Sequence, residues 1–449
     1  MKEYDVIVIG GSAAGIPAAI TVKRHYPDKN VLIVRKEKQV LIPCGIPYIY
    51  GTLGSPDKNF IPDAVLEKNN IDLMINEVNL INRQEKTIAL NNGEIFSYKK
   101  LILATGAKPI VPSLPGVNLE NVFSVKKDVD YLKEILNSLT KAKDLVIIGG
   151  GFIGVEFAEE CKKNREINVT IVEMLPYCLN VAYDHDACEV AETQLKEQGV
   201  KVLTNERVVE IVGVDKVKSV KVESGKEIKA DIVILGIGAK PNVDLAEKSG
   251  LDVDTFCGGV IVDKFMVTSD NNIFACGDCT CKSSFFTQKS PKLMLASIAT
   301  TEARIAGANV FGLNRENPGT IGAFSTVLNN MAFAVAGLTE EVATELGYSI
   351  IKGEISGPNR HPGGMPGMKN LTVKLIFNKE TKVIIGGQLF GAYNSGEMIN
   401  VVSSCIQSKM TAEQIALFQT ATHPALTASP ISYHLVNAAE MAIKSTKQT

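Results

Sequence analysis

The sequence lacks a long uninterrupted apolar run. The most apolar early stretch, which extends to about Val22, is broken at Gly10 and Gly15, and no run approaches the roughly 20 residues that span a bilayer as a helix. The first strand-like segment, 6–9, follows the initial Met almost directly, without the charged, apolar and small-residue regions of an export signal. We therefore expect no membrane segment and a cytoplasmic protein.

The sequence also has almost no net charge. Its 47 basic and 49 acidic residues leave a formal charge of -2, which argues against a nucleic-acid or membrane partner recruited by bulk electrostatics. The 45% hydrophobic and 21% charged residues are typical of a globular protein. At 449 residues the chain exceeds one hydrophobic core and should form two or three domains.

The cysteines lack the pattern of a disulfide framework or a metal site. They are nine in number, odd and scattered, so we expect reduced thiols. Cys276, Cys279 and Cys281 fall within six residues, a density that raises zinc or an iron-sulfur cluster as an alternative. Because no second pair of Cys or His ligands follows at usual spacing, we expect no metal.

What is present is a regular alternation of short β-branched runs and helical stretches, which indicates an α/β fold with parallel sheets covered by helices. The runs are 6–9, 31–34, 101–104, 145–148, 169–172 and 232–235. A strand-glycine-helix unit occurs twice, beginning near Asp5 and Lys143, and each copy later reaches a Gly-Ala-Lys-Pro turn, at Gly106 and Gly238. This pattern indicates an internal duplication of a Rossmann-like lobe.

The pattern predicts three domains. Residues 1–112 and 245–318 form the first lobe, residues 113–244 form the second, and residues 319–449 form an α+β domain. The strand patterns of 319–352 and 371–391 and the helical patterns of 395–409 and 411–418 support the last assignment.

The second lobe carries the stronger nucleotide motif. A glycine-rich turn follows the strand 145–148 directly, and an acidic residue ends the next strand. Glycines permit close approach of a pyrophosphate to a helix N-terminus, and the acidic residue accepts hydrogen bonds from a ribose diol. The carboxylate favours NADH, and NADPH is the alternative. The predicted residues are Gly149, Gly151, Phe152, Ile153, Gly154, Glu156 and Glu173.

The first lobe carries a weaker copy of this motif. Serine replaces the central glycine, and the second strand continues into Arg35-Lys36-Glu37 instead of a clean acidic end. We predict that Glu37 substitutes for the ribose-binding carboxylate; a glycine turn without a ligand is the alternative. The predicted loop is Gly10, Gly11, Ser12, Ala13, Ala14 and Gly15.

Cys44 lies in the segment Ile42-Pro-Cys-Gly-Ile-Pro-Tyr-Ile-Tyr-Gly51, without a CxxC partner. If a helix begins here, its dipole favours the nucleophilic thiolate. A buried structural cysteine is the competing interpretation. Tyr48 either orients substrate or packs as an ordinary aromatic residue.

Taken together, these motifs resemble the single-cysteine branch of the pyridine nucleotide-disulfide oxidoreductases. That branch includes coenzyme A disulfide reductases, NADH oxidases and peroxidases, and persulfide or polysulfide reductases. The matching features are the glycine loop 10–15, Cys44 in its CGIPY context, the Ala104-Thr105-Gly106 turn, the loop 149–156 and Gly277-Asp278.

The resemblance implies FAD in the first lobe, with Asp278 bonding the ribityl chain, and a homodimer formed by the C-terminal domain. It further implies that hydride passes from NADH to FAD, which reduces oxidised Cys44, and that sulfur chemistry follows at Cys44. Further residues expected near the cofactors are Ala104, Thr105, Gly106, Gly238, Gly277 and Ala296.

Two histidines are weaker candidates. His423-Pro424 is similar to a pair that the family's two-cysteine reductases place opposite the partner's flavin, but Ala428 stands where those enzymes have glutamate. A packing role therefore competes with a catalytic one for His423. His361 lies in a glycine-proline loop, either near the site or at the surface.

The expected activity is reduction of CoA disulfide, persulfide or polysulfide by NADH. An NADH oxidase that reduces dioxygen is the close alternative, although the first glycine loop lacks the histidine of many such enzymes. An electron-transfer module for a protein acceptor, or a nucleotide sensor, is the alternative of another class.

Overall fold

The structure is a computed structural model that describes residues 2–287, 289–312 and 314–445. The predicted α/β class is confirmed in these ranges. The strands are β1 (Lys2–Ile9), β2 (Val31–Arg35), β3 (Val40–Leu41), β4 (Phe60–Ile61), β5 (Asp72–Ile75), β6 (Val78–Asn82), β7 (Thr87–Leu90), β8 (Ile95–Leu103), β9 (Ala107–Pro109), β10 (Val122–Ser124), β11 (Asp144–Ile148), β12 (Asn168–Val172), β13 (Val200–Leu203), β14 (Val208–Gly213), β15 (Val217–Val222), β16 (Glu227–Lys229), β17 (Ile232–Leu235), β18 (Ala239–Pro241), β19 (Ile273–Ala275), β20 (Ala323–Leu328), β21 (Met331–Gly337), β22 (Ile350–Pro358), β23 (Asn370–Asn378) and β24 (Ile384–Gly391). The helices are α1 (Gly15–His25), α2 (Ala64–Glu67), α3 (Val129–Leu139), α4 (Phe152–Lys162), α5 (His185–Glu197), α6 (Asp244–Lys248), α7 (Ala296–Asn309), α8 (Glu340–Glu345), α9 (Ser395–Gln407), α10 (Ala412–Ala416) and α11 (His434–Ser445).

The first compact unit comprises Met1–Ser113, Phe123–Lys141 and Ile237–Thr320. Its main sheet has the strand order β5-β2-β1-β8-β7-β6, and β19 also pairs with β8. The pairs β1·β2, β1·β8 and β8·β19 are parallel. The segments that follow β1, β8 and β19 therefore meet at the carboxyl edge of the sheet, where α/β folds bind nucleotides.

Small residues bring two helices of this unit close together. A Cβ at Gly307 of α7 would lie 2.4 Å from the carbonyl oxygen of Ala18 in α1. Ala303 and Ala306 of α7 and Ala19 of α1 are completely buried. This close packing fixes α1 against the C-terminal half of α7, and it positions the glycine loop before α1.

The second compact unit comprises Leu114–Val122, Ala142–Gly236 and Ile321–Thr449. Its parallel strands follow the order β17-β11-β12-β13, so β11 has parallel neighbours on both sides, as β1 does in the first unit. The unit also contains the antiparallel sheet β14-β15-β16 and the antiparallel sheet β20-β21-β24-β23-β22. The helices α9 and α11 pack on the last of these sheets.

Two details differ from the sequence predictions, one in the glycine turns and one in the cysteines. The predicted Gly-Ala-Lys-Pro turns continue into short strands, β9 and β18, which pair with each other in the first unit. The three-domain division remains a prediction, and its last residues, 446–449, lie outside the described residues. Cys257 and Cys281 are joined by a disulfide, so the expectation of reduced thiols is wrong for this pair, which 24 residues of sequence separate.

Within the described ranges, no helix combines the length and apolar character needed to cross a membrane.

Candidate functional site

The first glycine loop is held against the end of β8. Gly10 has φ +106°, and a Cβ at this position would overlap the carbonyl oxygen of Ala104. Ala104 donates its N–H to the carbonyl of Ile9 at 2.8 Å. At the other end of the loop, a Cβ at Gly15 would overlap the carbonyl oxygen of Gly10. These close approaches require glycine and bring the predicted residues Gly10, Gly15 and Ala104 together.

The segment after β19 lies against the same loop. Gly277 has φ +82°, and a Cβ there would lie 2.8 Å from Cβ of Ala14. From α7, which begins at Ala296, Thr300 donates its hydroxyl to the carbonyl of Ala13 at 3.1 Å. The structure therefore brings together two motifs that are more than 260 residues apart along the chain.

A buried oxygen of Asp278 tests whether a cofactor binds at the carboxyl edge of this sheet. Its Oδ1 is buried and has no hydrogen-bond partner among the described residues. A buried acceptor without a partner is costly, so such an atom implies a ligand hydroxyl or water. The N-terminus of the 11-residue helix α1 follows the loop directly and favours a phosphate. These residues fit FAD: the loop would hold its pyrophosphate, and Asp278 would accept a hydrogen bond from its ribityl chain.

The predicted ribose-binding role of Glu37 stays a prediction, and the end of β2 is occupied by Arg35. Arg35 is buried and forms two bonds to Asp63, from Nη1 to Oδ1 and from Nη2 to Oδ2, each 2.7 Å long. It also donates from Nε to the carbonyl of Glu37 at 2.9 Å. The sequence did not single out Asp63, because its pairing with Arg35 spans 28 residues.

Cys44 is an exposed thiol in the first unit. The segment forms a three-residue 3₁₀ turn, Pro43–Gly45, followed by a second one, Pro47–Tyr50. Both turns are too short to supply the expected dipole, which develops over aligned peptide units of a longer helix. The exposure excludes the competing interpretation of Cys44 as a buried structural cysteine.

Asn59 positions the Cys44 turn, although the sequence pattern did not indicate this residue. It is buried, its Nδ2 donates to the carbonyl of Ile42 at 3.0 Å, and its own carbonyl accepts the N–H of Ile42 at 2.9 Å. A Cβ at Gly45 would overlap Asn59 Oδ1. Tyr48, in the next turn, is half-buried, so packing and substrate contact both remain open to it.

The remaining predicted turn residues of this unit lie along the β9·β18 ribbon. Thr105 donates its hydroxyl to the carbonyl of Asn242 at 2.7 Å, and Asn242 donates its N–H to the carbonyl of Gly106 at 2.9 Å. Gly238 accepts the N–H of Ile110 at 3.0 Å. Gly106 and Gly238 both have positive φ, which explains why glycine recurs at the two turns.

The second unit contains the other glycine loop. Gly150 donates its N–H to Glu173 Oε2 at 2.5 Å, and Leu175 donates to Glu173 Oε1 at 2.8 Å. A Cβ at Gly154 would overlap the carbonyl oxygen of Gly149, whereas one at Gly151 would meet nothing within 4 Å. The N-terminus of α4 is therefore open beside Gly151, and the carboxylate of Glu173 keeps lone pairs for a ribose diol. These residues fit a dinucleotide.

The start of α4 is partly used for packing. The ring of Phe152 stacks on that of Phe324, with centroids 5.2 Å apart, and Ile153 is half-buried. Glu156 accepts the hydroxyl of Thr326 at 2.8 Å. Burial raises the pKa of the Glu156 carboxyl to about 7, despite that hydrogen bond.

The two histidine segments meet in the second unit. The Nδ1 of His361 lies 3.0 Å from the carbonyl oxygen of Thr427, and its backbone N–H donates to the carbonyl of Pro424 at 3.2 Å. His423 is exposed, and its Nδ1 accepts the N–H of Ala425 at 3.2 Å. The glycine-proline loop therefore packs against the His423 segment.

Comparison with known protein families gives the family that the sequence motifs indicate. Residues 4–303 match the model described as pyridine nucleotide-disulphide oxidoreductase, and residues 323–431 match its dimerisation domain. The chain belongs to this family. It is therefore an oxidoreductase of two nucleotide-binding lobes and a C-terminal dimerisation domain, and its nicotinamide cofactor follows from the family.

Three relatives of this oxidoreductase carry two kinds of activity in their names. An NADH oxidase of Methanocaldococcus jannaschii is 31% identical and covers 98% of both chains. An NAD(P)H coenzyme A polysulfide/persulfide reductase of Pyrococcus horikoshii is 33% identical over 87% of this chain and 88% of its own. The solved structure of an NAD-dependent persulfide reductase from A. fulgidus is 32% identical, with a TM-score of 0.91 over 99% of this chain and 84% of its own.

Proposed function

We propose that this oxidoreductase uses NADH to reduce a sulfur substrate, namely CoA disulfide, a persulfide or polysulfide, and that Cys44 is the residue that bonds to substrate sulfur. The exposed Cys44 thiol carries the proposal. It lies in the turn that follows Ile42, whose N–H and carbonyl both bond to Asn59, and it belongs to the unit that contains the unpartnered Asp278 oxygen.

The residues have separate roles in this proposal. The loop 10–15 and Asp278 bind FAD, and Gly149 to Gly154 with Glu173 bind NADH. FAD, when bound, supplies the two-electron link between a nicotinamide hydride and sulfur. Cys44 attacks one sulfur of the substrate disulfide as a thiolate and releases the other half as a thiolate, which leaves a mixed disulfide to be reduced.

The thiolate character that this attack needs does not come from a helix dipole, given the short turns. We propose that Tyr48, the second residue of its own 3₁₀ turn, orients the substrate beside the thiol. His423 is the proposed proton donor to the leaving thiolate, in the homodimer that the dimerisation domain forms. Its exposed ring has an Nε2 available for that purpose.

The test is anaerobic oxidation of NADH by the FAD-loaded protein, with CoA disulfide, CoA persulfide and polysulfide supplied in turn. Wild type is compared with Cys44→Ser and with a thiol control, Cys405→Ala, whose sulfur is buried in α9. We expect turnover with at least one sulfur acceptor, a loss of about 100-fold or more in Cys44→Ser, and little change in Cys405→Ala. Flavin absorbance checks that each variant binds FAD.

Admission of air separates the alternatives. Turnover that appears only with dioxygen would replace the reductase by an NADH oxidase, the activity named for the Methanocaldococcus relative. Absence of turnover with either kind of acceptor, combined with rapid reduction of the flavin by NADH, would favour a protein acceptor. Slow reduction of the flavin at saturating NADH would favour a nucleotide sensor.

A further inference from the structure

A second sulfur site lies in the first unit, apart from Cys44 in the sequence. Cys257 and Cys281 form a disulfide with Cα atoms 5.8 Å apart, and both residues are partly exposed. All nine cysteines lie in described ranges, and every other one except Cys44 is buried. Solvent thiols and disulfides therefore reach Cys44 and this pair, but not the remaining sulfur atoms.

The loop that carries Cys257 is closed by its own hydrogen bonds. Asp254 Oδ1 accepts the N–H groups of Phe256 at 2.8 Å and Cys257 at 2.7 Å. The backbone of Asp254 also exchanges bonds with the loop end, as it accepts from Gly258 and donates to Gly259, each at 2.9 Å. Because these bonds do not involve sulfur, they do not depend on the disulfide.

The Cys281 backbone is paired with the same loop. Val260 donates its N–H to the carbonyl of Cys279 at 2.8 Å, and Cys281 donates to the carbonyl of Val260 at 3.0 Å. The two sulfur-bearing segments thus stay adjacent through backbone bonds. The disulfide can therefore open without separation of the two segments, which is a condition for reversible exchange.

The residues on either side of Cys281 are buried and both donate hydrogen bonds to the carbonyl of Gly277. Lys282 and Thr280 are buried, and the Lys282 ammonium donates to the carbonyl of Gly277 at 2.5 Å and to Glu302 Oε2 at 2.8 Å. Glu302 Oε2 also accepts the N–H of Gly277 at 2.8 Å. A buried ion pair therefore holds both backbone groups of the residue that precedes Asp278, and its lysine is one peptide away from Cys281.

We propose that Cys257 and Cys281 are a reversible dithiol–disulfide site that exchanges with small thiols and disulfides, and that its redox state changes how firmly the Gly277-Asp278 segment holds FAD. The disulfide ties the outward side chain of Cys281 to the 254–259 loop. It thereby adds a covalent tie to the backbone bonds that already hold the segment from which Lys282 reaches the buried Glu302.

Small thiols and disulfides alone supply and accept the electrons and protons of this exchange. In oxidation, one cysteine thiolate attacks a disulfide RSSR, breaks its S–S bond and releases RS⁻, and the second thiolate then attacks the protein sulfur of the mixed disulfide and releases another RS⁻. Two electrons pass from the pair to RSSR, and the two thiol protons end on two RSH. The proposed function enters only here, because it makes a disulfide the enzyme's substrate and a thiol its product.

The test uses the FAD-loaded, full-length protein in the Cys44→Ser background, so that the other exposed thiol is absent. The protein is equilibrated at graded ratios of oxidised to reduced dithiothreitol, and maleimide labelling followed by intact mass counts accessible thiols. The release of FAD into dilute buffer is followed by its fluorescence at each end of the series. The matched control carries Cys257→Ser and Cys281→Ser in addition.

We expect two thiols per chain to appear and disappear reversibly, and FAD release to be about threefold or more faster from the dithiol form. The control should show neither change. A pair that stays oxidised until the protein unfolds, or that never forms a disulfide, would overturn the proposal, as would equal FAD release from the two forms. Tight binding of Zn²⁺ by the reduced pair with Asp254, which would block oxidation, would replace it by a metal site. None of these readouts uses NADH turnover, so their failure is separate from failure of the proposed function.

Discussion

The two glycine loops share a backbone and differ in charge. In the first unit Gly10 donates its N–H to the carbonyl of Val34, and in the second unit Gly149 donates to Val172, at 2.8 and 2.9 Å. The next residues along the second strands are therefore equivalent, and they are Arg35 and Glu173. The same position carries a buried cation in one unit and a buried carboxylate in the other.

The difference shows which part of a nucleotide site the fold itself supplies. Both units need glycine in the loop between the first strand and the helix, because a side chain at Gly15 or Gly154 would overlap the backbone of the loop. The N-terminus of each helix is therefore close to its loop, where it can bind a phosphate. The group that follows the second strand is free to vary. Glu173 accepts the N–H of Gly150 in the glycine loop, whereas Arg35 donates to Asp63.

Substitution of the glycine that both loops share should weaken nucleotide binding equally in the two units. Gly15→Ala and Gly154→Ala each place a methyl group on the carbonyl oxygen of the first loop glycine. Overpacking of this kind costs up to about 3 kcal/mol, so we expect about 100-fold weaker retention of FAD in the first variant and a similar rise in KM for NADH in the second.

Gly396→Ala is the control, because a Cβ at that position meets nothing within 4 Å. It should leave both nucleotides bound as in wild type. Loss of FAD from Gly154→Ala, with no effect on KM for NADH, would show that the two loops have been assigned to the wrong cofactors.

Arg35→Gln tests the first of the two differing positions. It leaves Asp63 without its two charge-assisted bonds, and since that carboxylate is 41% exposed, water replaces part of the loss. We expect the free energy of unfolding to fall by about 2 kcal/mol, with KM for NADH unchanged, as measured by urea denaturation and steady-state kinetics. A raised KM without loss of stability would contradict a purely local role.

Glu173→Gln tests the second position. The amide keeps one acceptor oxygen but loses the charge that holds a ribose diol, so we expect KM for NADH to rise about tenfold and the preference for NADH over NADPH to weaken. The exposed Glu166→Gln is the matched control. An unchanged preference would remove Glu173 from the ribose site.

The smallest expected effect comes from Glu156, whose equivalent in the first unit is Pro17. Its folded pKa of about 7 lies above the ordinary carboxyl value of 4.5, so the folded protein binds the proton more tightly. Stability from this group is present below pH 4.5 and is lost as the pH rises through 7. We expect the difference in unfolding free energy between wild type and Glu156→Gln to fall by about 1 kcal/mol from pH 5 to pH 6; a constant difference would show that the carboxyl is not buried in solution.

Much of the fold could be predicted because the signals are local. The alternation of β-branched runs and the two glycine turns predicted the parallel strands β1, β2, β11 and β12, and the structure contains them. The turns at Gly106 and Gly238 were placed correctly, but their continuation into paired strands was missed. Residue pattern shows where a strand ends, whereas pairing between β9 and β18 depends on the path of more than 100 residues between them.

The sequence by itself determined the family, the two nucleotide loops and the candidate cysteine, since each follows from residue types at fixed short spacing. Only the tertiary structure decided that Arg35 pairs with Asp63, that Asn59 holds the Cys44 turn, and that Cys257 reaches Cys281. The physical reason is the same in each case. A hydrogen bond, ion pair or disulfide depends on distances of a few ångströms, and those distances are set by how β-strands and helices pack, not by separation along the chain.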